Sequence, residues 1–190
     1  MISFIGKILF KLDSYKVRFI NRYKLSLLGA HGINCHIEGG VNISSPNIYI
    51  GNNVFIPSGA TFLSSNAKIK IGDNVMFGPN VMIATGNHRF DVIGVPMCDV
   101  KEKREQDDED VVIDNDVWVG MNAIILKGVH IGEGCVIGAG AIISKSIPAF
   151  SIVTNSGGIN VRPRFSPEQI EIHKSKIKQY ERKFKENNRI

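Results

Sequence analysis

The chain predicts an all-β solenoid, a strand-and-turn coil wound through most of its length, and three observations carry that expectation. The first is an ungapped period of six, with Ile113, Val119, Ile125, Ile131, Ile137 and Ile143 in phase. Two positions ahead of each stands a small or β-branched residue: Val111, Val117, Ala123, Val129, Cys135 or Ala141. The second is the same period earlier in the chain, as Ile50, Ile56 and Phe62 and again as Ile71, Phe77 and Ile83, with one slip of three residues between Phe62 and Ile71. The third is turn chemistry. Glycine follows the aliphatic residue at Gly51, Gly72, Gly78, Gly120, Gly132 and Gly138, and pairs such as Asn52-Asn53, Asp73-Asn74 and Asn115-Asp116 recur between the hexads.

A helix face recurs every three or four residues and a plain amphipathic strand alternates at two, so a period of six fits neither. A short strand followed by a tight turn does fit, with the aliphatic side chain inward and three such sides stacking each coil on the last at about 4.8 Å. Glycine, asparagine and aspartate supply turn conformations that β-branched residues reach only at a cost. Ile37 and Ile43 are six apart but Ile50 comes seven later, so the first coil is expected to be irregular.

The elements follow in order. Residues 1–28 read as a basic helical cap, with Ile5, Ile8, Leu9 and Leu12 on one face and Lys7, Lys11, Lys16, Arg18 and Arg22 around it. Such a helix either covers the unpaired strand edges at the open end of a solenoid or rests on an anionic membrane or a membrane-bound glycolipid. Residues 29–165 carry the solenoid. Between Ile83 and Ile113 the pattern lapses, which predicts an excursion loop at about 89–112, opening with Asn87-His88-Arg89-Phe90-Asp91. In its second half nine of the ten residues from Lys101 to Asp110 are charged, and this run reads as a solvated tip. Pro148 is expected to end the last hexad. Ser166-Pro167-Glu168 then starts a polar helix within 166–190, reaching about Asn187, as a second cap or an oligomer contact.

At 190 residues, 43% hydrophobic and 22% charged, the chain fits one compact globular domain. It has neither an 18-residue apolar run nor the pattern of a signal peptide, so the cytoplasm is the expected compartment. Cys35, Cys98 and Cys135 are too few and too scattered for a disulfide framework and form no CxxC pair, and they read as buried or loop thiols. The net charge of +5 divides unevenly. Residues 1–24 carry six basic and one acidic side chain, residues 162–190 nine and four, and the stretch between eight and thirteen. Basic ends flanking an acidic body do not make a nucleic-acid-binding stripe.

Two longer strings add a family resemblance. Asp114-Asn115-Asp116-Val117-Trp118-Val119-Gly120 resembles the "GNDVWIG" segment of the hexapeptide-repeat acyltransferases, and Val136-Ile137-Gly138-Ala139-Gly140-Ala141, with Ser144-Lys145 and Ile147-Pro148, resembles their "VIGAGSVVTKDIP" segment. The likeness covers roughly residues 30–165 and is to the maltose, galactoside, polysaccharide and xenobiotic acetyltransferases. It implies a left-handed parallel β-helix, a homotrimer, and acetyl-CoA as co-substrate for transfer to a carbohydrate hydroxyl. The acceptor it suggests is a sugar of a surface polysaccharide. His88 matches the family's general base at the root of the excursion loop. Imidazole suits that role because it exchanges a proton near neutral pH, where a sugar hydroxyl is a poor nucleophile.

The resemblance further places Trp118 and Met121 beside the thiol arm of coenzyme A, Ala139 on the coil edge, Ser144 and Lys145 near the phosphates, and Arg162 as the basic residue after the last coil. Cations and backbone N–H groups are what a pyrophosphate needs. Ser64, Asn66 and Asn80 are expected acceptor contacts. Where the family reads "GxPAKVI", this chain has Asn155-Ser156-Gly157-Gly158-Ile159-Asn160-Val161, a departure at the adenine and phosphate end. A metal-dependent β-helix enzyme of the γ-carbonic anhydrase type would need histidines in the excursion loop; residues 89–112 contain none, so no metal is expected. The competing readings are N-acetylation of a nucleotide-linked amino sugar, acetylation of a streptogramin-type xenobiotic, and an inactive β-helix scaffold.

Overall fold

The computed structural model describes residues 15–43, 45–155 and 158–187. The hexads become short strands visited in rotation by three sheets, A, B and C. A first circuit supplies β1 (Ala30–His31) and β2 (His36–Ile37). The second holds β3 (Ile48–Ile50), β4 (Phe55–Ile56) and β5 (Thr61–Leu63), and the third β6 (Ile69–Ile71), β7 (Met76–Phe77) and β8 (Met82–Ala84). The fourth holds β9 (Val111–Ile113), β10 (Trp118–Val119) and β11 (Ile124–Ile125). The fifth holds β12 (His130–Ile131), β13 (Val136–Ile137) and β14 (Ile142–Ile143), after which come β15 (Ser151–Thr154) and β16 (Asn160–Pro163). Sheet A orders β1-β3-β6-β9-β12, sheet B β2-β4-β7-β10-β13-β15-β16, and sheet C β5-β8-β11-β14.

The pairings that build the circuits are parallel and keep the hexad positions in line. Ile50, Ile71, Ile113 and Ile131 stack in sheet A. Phe77, Val119, Ile137 and Val153 stack in sheet B, and Phe62, Ile83, Ile125 and Ile143 in sheet C. All twelve are buried, as are the small residues two positions ahead of them. Each side chain withdrawn from water in this way contributes about 1.5–3 kcal/mol, which is the main favourable term of the fold. Corners repeat as well. Asn34, Asn53, Asn74 and Asp116 turn the chain from sheet A to sheet B with φ of 56° to 60°, a left-handed region where Asn and Asp are tolerated better than β-branched residues. Their amides form a ladder: Asn34 Nδ2 donates to Asn53 Oδ1 at 2.9 Å and Asn53 Nδ2 to Asn74 Oδ1 at 2.8 Å.

The first circuit is more regular than its seven-residue gap suggests. Ala30 and His31 pair with Tyr49 and Ile50, and His36 and Ile37 with Phe55 and Ile56. The extra residue is taken up beside Ser45, whose hydroxyl accepts the Asn47 N–H and donates to Ser64 O. The slip of three residues and the excursion loop both fall at the corner from sheet C to sheet A, where added chain leaves the three ladders in register.

The ends are closed in different ways. The first helix, α1, runs over 15–26; the apolar face expected at Ile5, Ile8, Leu9 and Leu12 lies outside the described residues. The Asn21 side chain accepts the Ile37 N–H at 2.7 Å and donates to Cys35 O at 3.3 Å, so one amide serves the free edge of β2 as a neighbouring strand would. Leu25 and Leu28 are buried in the core, and Lys24 Nζ donates to Glu38 O and Val41 O.

At the other end the coil does not stop at Pro148. Ile147 bridges to Ile131, and β15 adds to sheet B beside β13. The Ile147 N–H bonds His130 O and Ile147 O accepts from Gly132, so the proline falls between ladder bonds and removes none of them. The antiparallel β16 then folds back on β15. The last helix, α2, spans Pro167–Asn187, with Ser166 and Gln169 exchanging side-chain to backbone bonds at its start. His173 seats it against Phe150 and Phe165. No helix among the described residues is long and apolar enough to cross a membrane.

Ile125→Ala, which empties one hexad position midway along sheet C, should destabilise the protein by about 2–5 kcal/mol in denaturant titration. Truncation of the outward-facing Ile142 to Ala should change stability far less.

Candidate active site

The corner that follows β8 carries the excursion. Its root is a short antiparallel closure: Gly86 bridges Asp108, the Asn87 N–H donates to Asp107 O at 2.9 Å, and the Glu109 N–H to Thr85 O at 2.8 Å. The loop proper therefore runs from Asn87 to Asp107, and the coil resumes with β9 at Val111, slightly earlier than the boundary expected at 112. A Cβ on Gly86 would stand 1.8 Å from the Asp108 carboxylate, so this position needs glycine.

The charged run from Lys101 to Asp110 is largely exposed, as expected, but several of its side chains tie the loop to the coil. Asp108 accepts from Lys103 at 2.7 Å and from the Asn66 amide at 2.7 Å, while Asp110 takes Lys70 Nζ and the Lys68 N–H, each at 2.8 Å. Lys127, on the same corner one circuit further, donates to Gln106 O and pairs with Glu109. Asp107 is the one carboxylate buried among the described residues, at 5% exposure. It holds the Arg104 guanidinium and the Arg104 N–H, and that guanidinium also reaches Asp91. These bonds from Arg104 keep the Asp107 carboxyl at about 2, well below its ordinary 3.8. The apolar middle of the loop is exposed as well: Phe90, Ile93, Val95 and Met97 all face solvent.

His88 stands at this root, exposed, and among the described residues its ring takes no hydrogen-bond partner. The other four histidines are engaged. His31 Nδ1 bonds Gly32 O, His36 stacks on Phe55 at 5.7 Å, His130 pairs with Asp114 at 2.9 Å, and His173 Nε2 lies 3.2 Å from Asp116. His31 and His36 belong to strands of the first circuit. Among the described residues no group of three His, Cys, Asp or Glu is placed to hold a metal.

The residues expected to hold coenzyme A fall on two edges of the coil. Trp118 is 51% exposed on the outside of sheet B, between Met76 and Val136, and Val136, Ile152 and Arg162 continue that outward row strand by strand. Met121 and Ala139 occupy the corner from B to C on successive circuits. These corners sit so close that a Cβ on Gly120 would come within 2.6 Å of Ala139 N. Ser144 and Lys145 are exposed at the corner from C to A, the edge that also carries His88. One copy of the chain therefore sets His88, Ser144 and Lys145 across the width of sheet C from Trp118, Met121 and Ala139. Arg162 is exposed, whereas its neighbour Arg164 is committed to Asp116 and Gly134 O. Of the departure at 155–161, Asn160 and Val161 begin β16, and Ser156 and Gly157 lie outside the described residues.

The expected acceptor contacts have structural partners. Ser64 donates to Ala67 O, Asn66 to Asp108, and Asn80 to Asn122 Oδ1. Asn66 lines a depression of about 360 Å³ shared with Lys103, Glu105 and Asp110. A wider depression of about 560 Å³ lies outside sheet A between Tyr49, Lys70, Val112 and Glu133 and touches none of the candidate residues. Sequence reasoning missed the Arg104, Asp107 and Asp91 cluster; its one signal was mixed charge in a run beside a histidine-bearing turn. Burial raises the thiols of Cys35 and Cys135 above their ordinary range and Cys98 is exposed, as the scattered cysteines suggested.

Residues 110–145 match the family model for the bacterial transferase hexapeptide of six repeats. The chain is 35% identical over 119 residues to a galactoside O-acetyltransferase of Lactococcus lactis, covering 62% of this chain and 54% of that one. It also superposes on a maltose O-acetyltransferase of Clostridium difficile with a TM-score of 0.64 at 28% identity, over 82% of this chain and 86% of that one. In sequence and in fold the chain is thus similar to hexapeptide-repeat acetyltransferases, and residues 110–145 carry the repeat itself. A further solved structure, of a hexapeptide-repeat acetyltransferase from Vibrio cholerae complexed with acetyl coenzyme A, matches with a TM-score of 0.65 at 27% identity over 75% of each chain. This hexapeptide-repeat chain spans about half the length of the curated relatives it matches.

The Asp107 carboxylate holds its partners fully above pH 3.8 and loses them as the pH falls through about 2. Pepsin cleavage within 88–106 should therefore accelerate between pH 4 and pH 2 in the wild type, and Asp107→Asn should already be cut rapidly at pH 4.

Proposed function

We propose that this chain is an acetyl-CoA-dependent O-acetyltransferase of the galactoside and maltose type, acting on a carbohydrate hydroxyl, with a sugar of a surface polysaccharide as acceptor. The observation that carries the reading is His88: an exposed imidazole, free of partners among the described residues, at the root of an ion-paired loop. In this mechanism the imidazole takes the acceptor's hydroxyl proton as that oxygen attacks the thioester carbonyl. The tetrahedral intermediate collapses, the C–S bond breaks, and the departing thiolate recovers the proton from His88. No acyl-enzyme forms.

Coenzyme A lies along Trp118, Met121 and Ala139, with Ser144, Lys145 and Arg162 toward its phosphates. The outward row from Trp118 to Arg162 spans three strand steps, about 14 Å, which suits an extended pantetheine arm. Because one copy separates this row from His88 by the width of sheet C, the site is completed by a second copy. A homotrimer of left-handed coils, with the apolar side chains of Phe90, Ile93 and Met97 reaching the neighbour, meets that requirement. Ser64, Asn66 and Asn80 remain the proposed acceptor contacts, Asn66 being favoured by the depression it lines. The proposed compartment is the cytoplasm, with α1, which exposes Tyr15, Phe19 and Tyr23 among Lys16, Arg18 and Arg22, as the candidate segment for contact with an anionic membrane face.

Thiol release from acetyl-CoA against a panel of galactosides, maltose, amino sugars and oligosaccharides tests the reaction. His88→Ala should lose at least about a hundredfold in kcat while the thermal shift with acetyl-CoA persists. Unchanged turnover in that variant would remove His88 as the base. An unaltered wild-type melting temperature at saturating acetyl-CoA would leave a scaffold as the better reading, and acetylation confined to an antibiotic or an amino sugar would move the acceptor class. Trp118→Ala should weaken the acetyl-CoA shift without abolishing trimer formation in native mass measurements.

A further inference from the structure

A base whose ring has no orienting partner takes its direction from the backbone that carries it, and a misplacement of about 1 Å can cost a hundredfold in rate. His88 is such a group, and the loop ties down the backbone on both sides of it. Before it, the Asn87 N–H bonds Asp107 O at 2.9 Å and joins the outgoing limb to the returning one. After it, Arg89 Nε bonds Asp91 Oδ1 at 3.0 Å, and Arg104 reaches across the limbs to the other oxygen of Asp91. Arg104 is itself fixed by the buried Asp107, through Nη2 at 2.9 Å, Nε at 3.3 Å and its own N–H at 2.8 Å. The segment 88–90 is thus enclosed between a backbone bond and an ionic one, and both end on Asp107.

We propose that Arg104, clamped between Asp91 and Asp107, is the positioning residue that aims His88. A planar guanidinium with several donors can hold one carboxylate on two edges while reaching a second, which a lysine cannot do. The cluster is not a solvated face. Asp107 is buried, and Arg104 contacts both limbs rather than sequence neighbours alone. The proposal rests on the reading of His88 as general base, and its test separates the two.

Thiol release from acetyl-CoA with maltose as acceptor is compared for wild type, Arg104→Met, Asp91→Asn, His88→Ala, and each of the first two combined with His88→Ala. Arg104→Met and Asp91→Asn should each lower kcat about tenfold with KM for acetyl-CoA within about twofold, and neither should lower the residual rate of His88→Ala further. An equal fractional loss in both backgrounds would overturn positioning while leaving the base intact. Full activity of His88→Ala would remove the base and the proposal with it. Should Arg104→Met fail to fold, Asp91→Asn, which alters an exposed carboxylate, carries the same comparison. If the wild type does not acetylate maltose, amide exchange decides: faster exchange over 87–91 in Asp91→Asn supports the clamp, and unchanged exchange overturns it.

Discussion

Register between circuits is the constraint on which everything else in this protein depends. Each strand bonds to the one above and the one below, so Ile71 must stand over Ile50 and under Ile113, and the same must hold in the other two sheets at once. A residue added within a side would turn its aliphatic side chain outward and expose it. Added chain is tolerated only at corners, where the backbone already leaves the ladder. Three departures from the hexad period, the one extra residue between Ile43 and Ile50, the three residues between Phe62 and Ile71 and the long loop after β8, use the same corner from sheet C to sheet A. Consequently the loop root is flanked by Asn66 and Lys68 on the circuit before and by Lys127 on the circuit after, and all three bond to it.

The same constraint leaves two ends that must be finished without further hexads. At the start, one asparagine amide substitutes for a strand, satisfying a donor and an acceptor on the exposed edge of β2. At the finish, β16 turns back antiparallel on β15, and α2 is locked at the corner by Asp116, which receives both Arg164 and His173. Asp116 is also a left-handed corner residue. One aspartate therefore serves turn geometry and helix docking together, and its loss would disturb both.

How much of this was legible in the sequence follows the range of the interactions. Hexads, corner asparagines and the capped start of α2 are local patterns, and each appears where the spacing places it. The loop was legible as an interruption, and His88 as the residue at its root. The ties of the charged run were not legible because several of its partners are remote in sequence: Asn66 meets Asp108 across 42 positions and Lys127 meets Glu109 across 18. Nothing in a run of like and unlike charges says which will be tied down. Pro148 misled for a related reason, since its lack of an N–H matters only if that position donates to the ladder, and here Ile147 does so. Ser64, Asn66 and Asn80, expected as acceptor contacts, each have a partner: Ser64 bonds within its own corner, and Asn66 and Asn80 bond across to later residues of the coil.

Why His88 stands on a loop, and not on a strand, follows from the lattice. Outward strand positions occur at fixed intervals, and in sheet B they are filled by a continuous row of Phe55, Met76, Trp118, Val136 and Ile152. A histidine placed in such a row is drawn into it, as His36 is against Phe55 and His130 against Asp114. Standing clear of the row requires leaving the ladder, and leaving it forfeits the hydrogen bonds that hold the rest of the chain. The buried carboxylate of Asp107 and its guanidinium partner replace that lost order at the one place where the coil opens. Charge-assisted bonds suit this role because they are directional and strong where water is partly excluded. The apolar middle of the loop, where Ile93, Val95 and Met97 stand exposed, has no such ionic ties among the described residues.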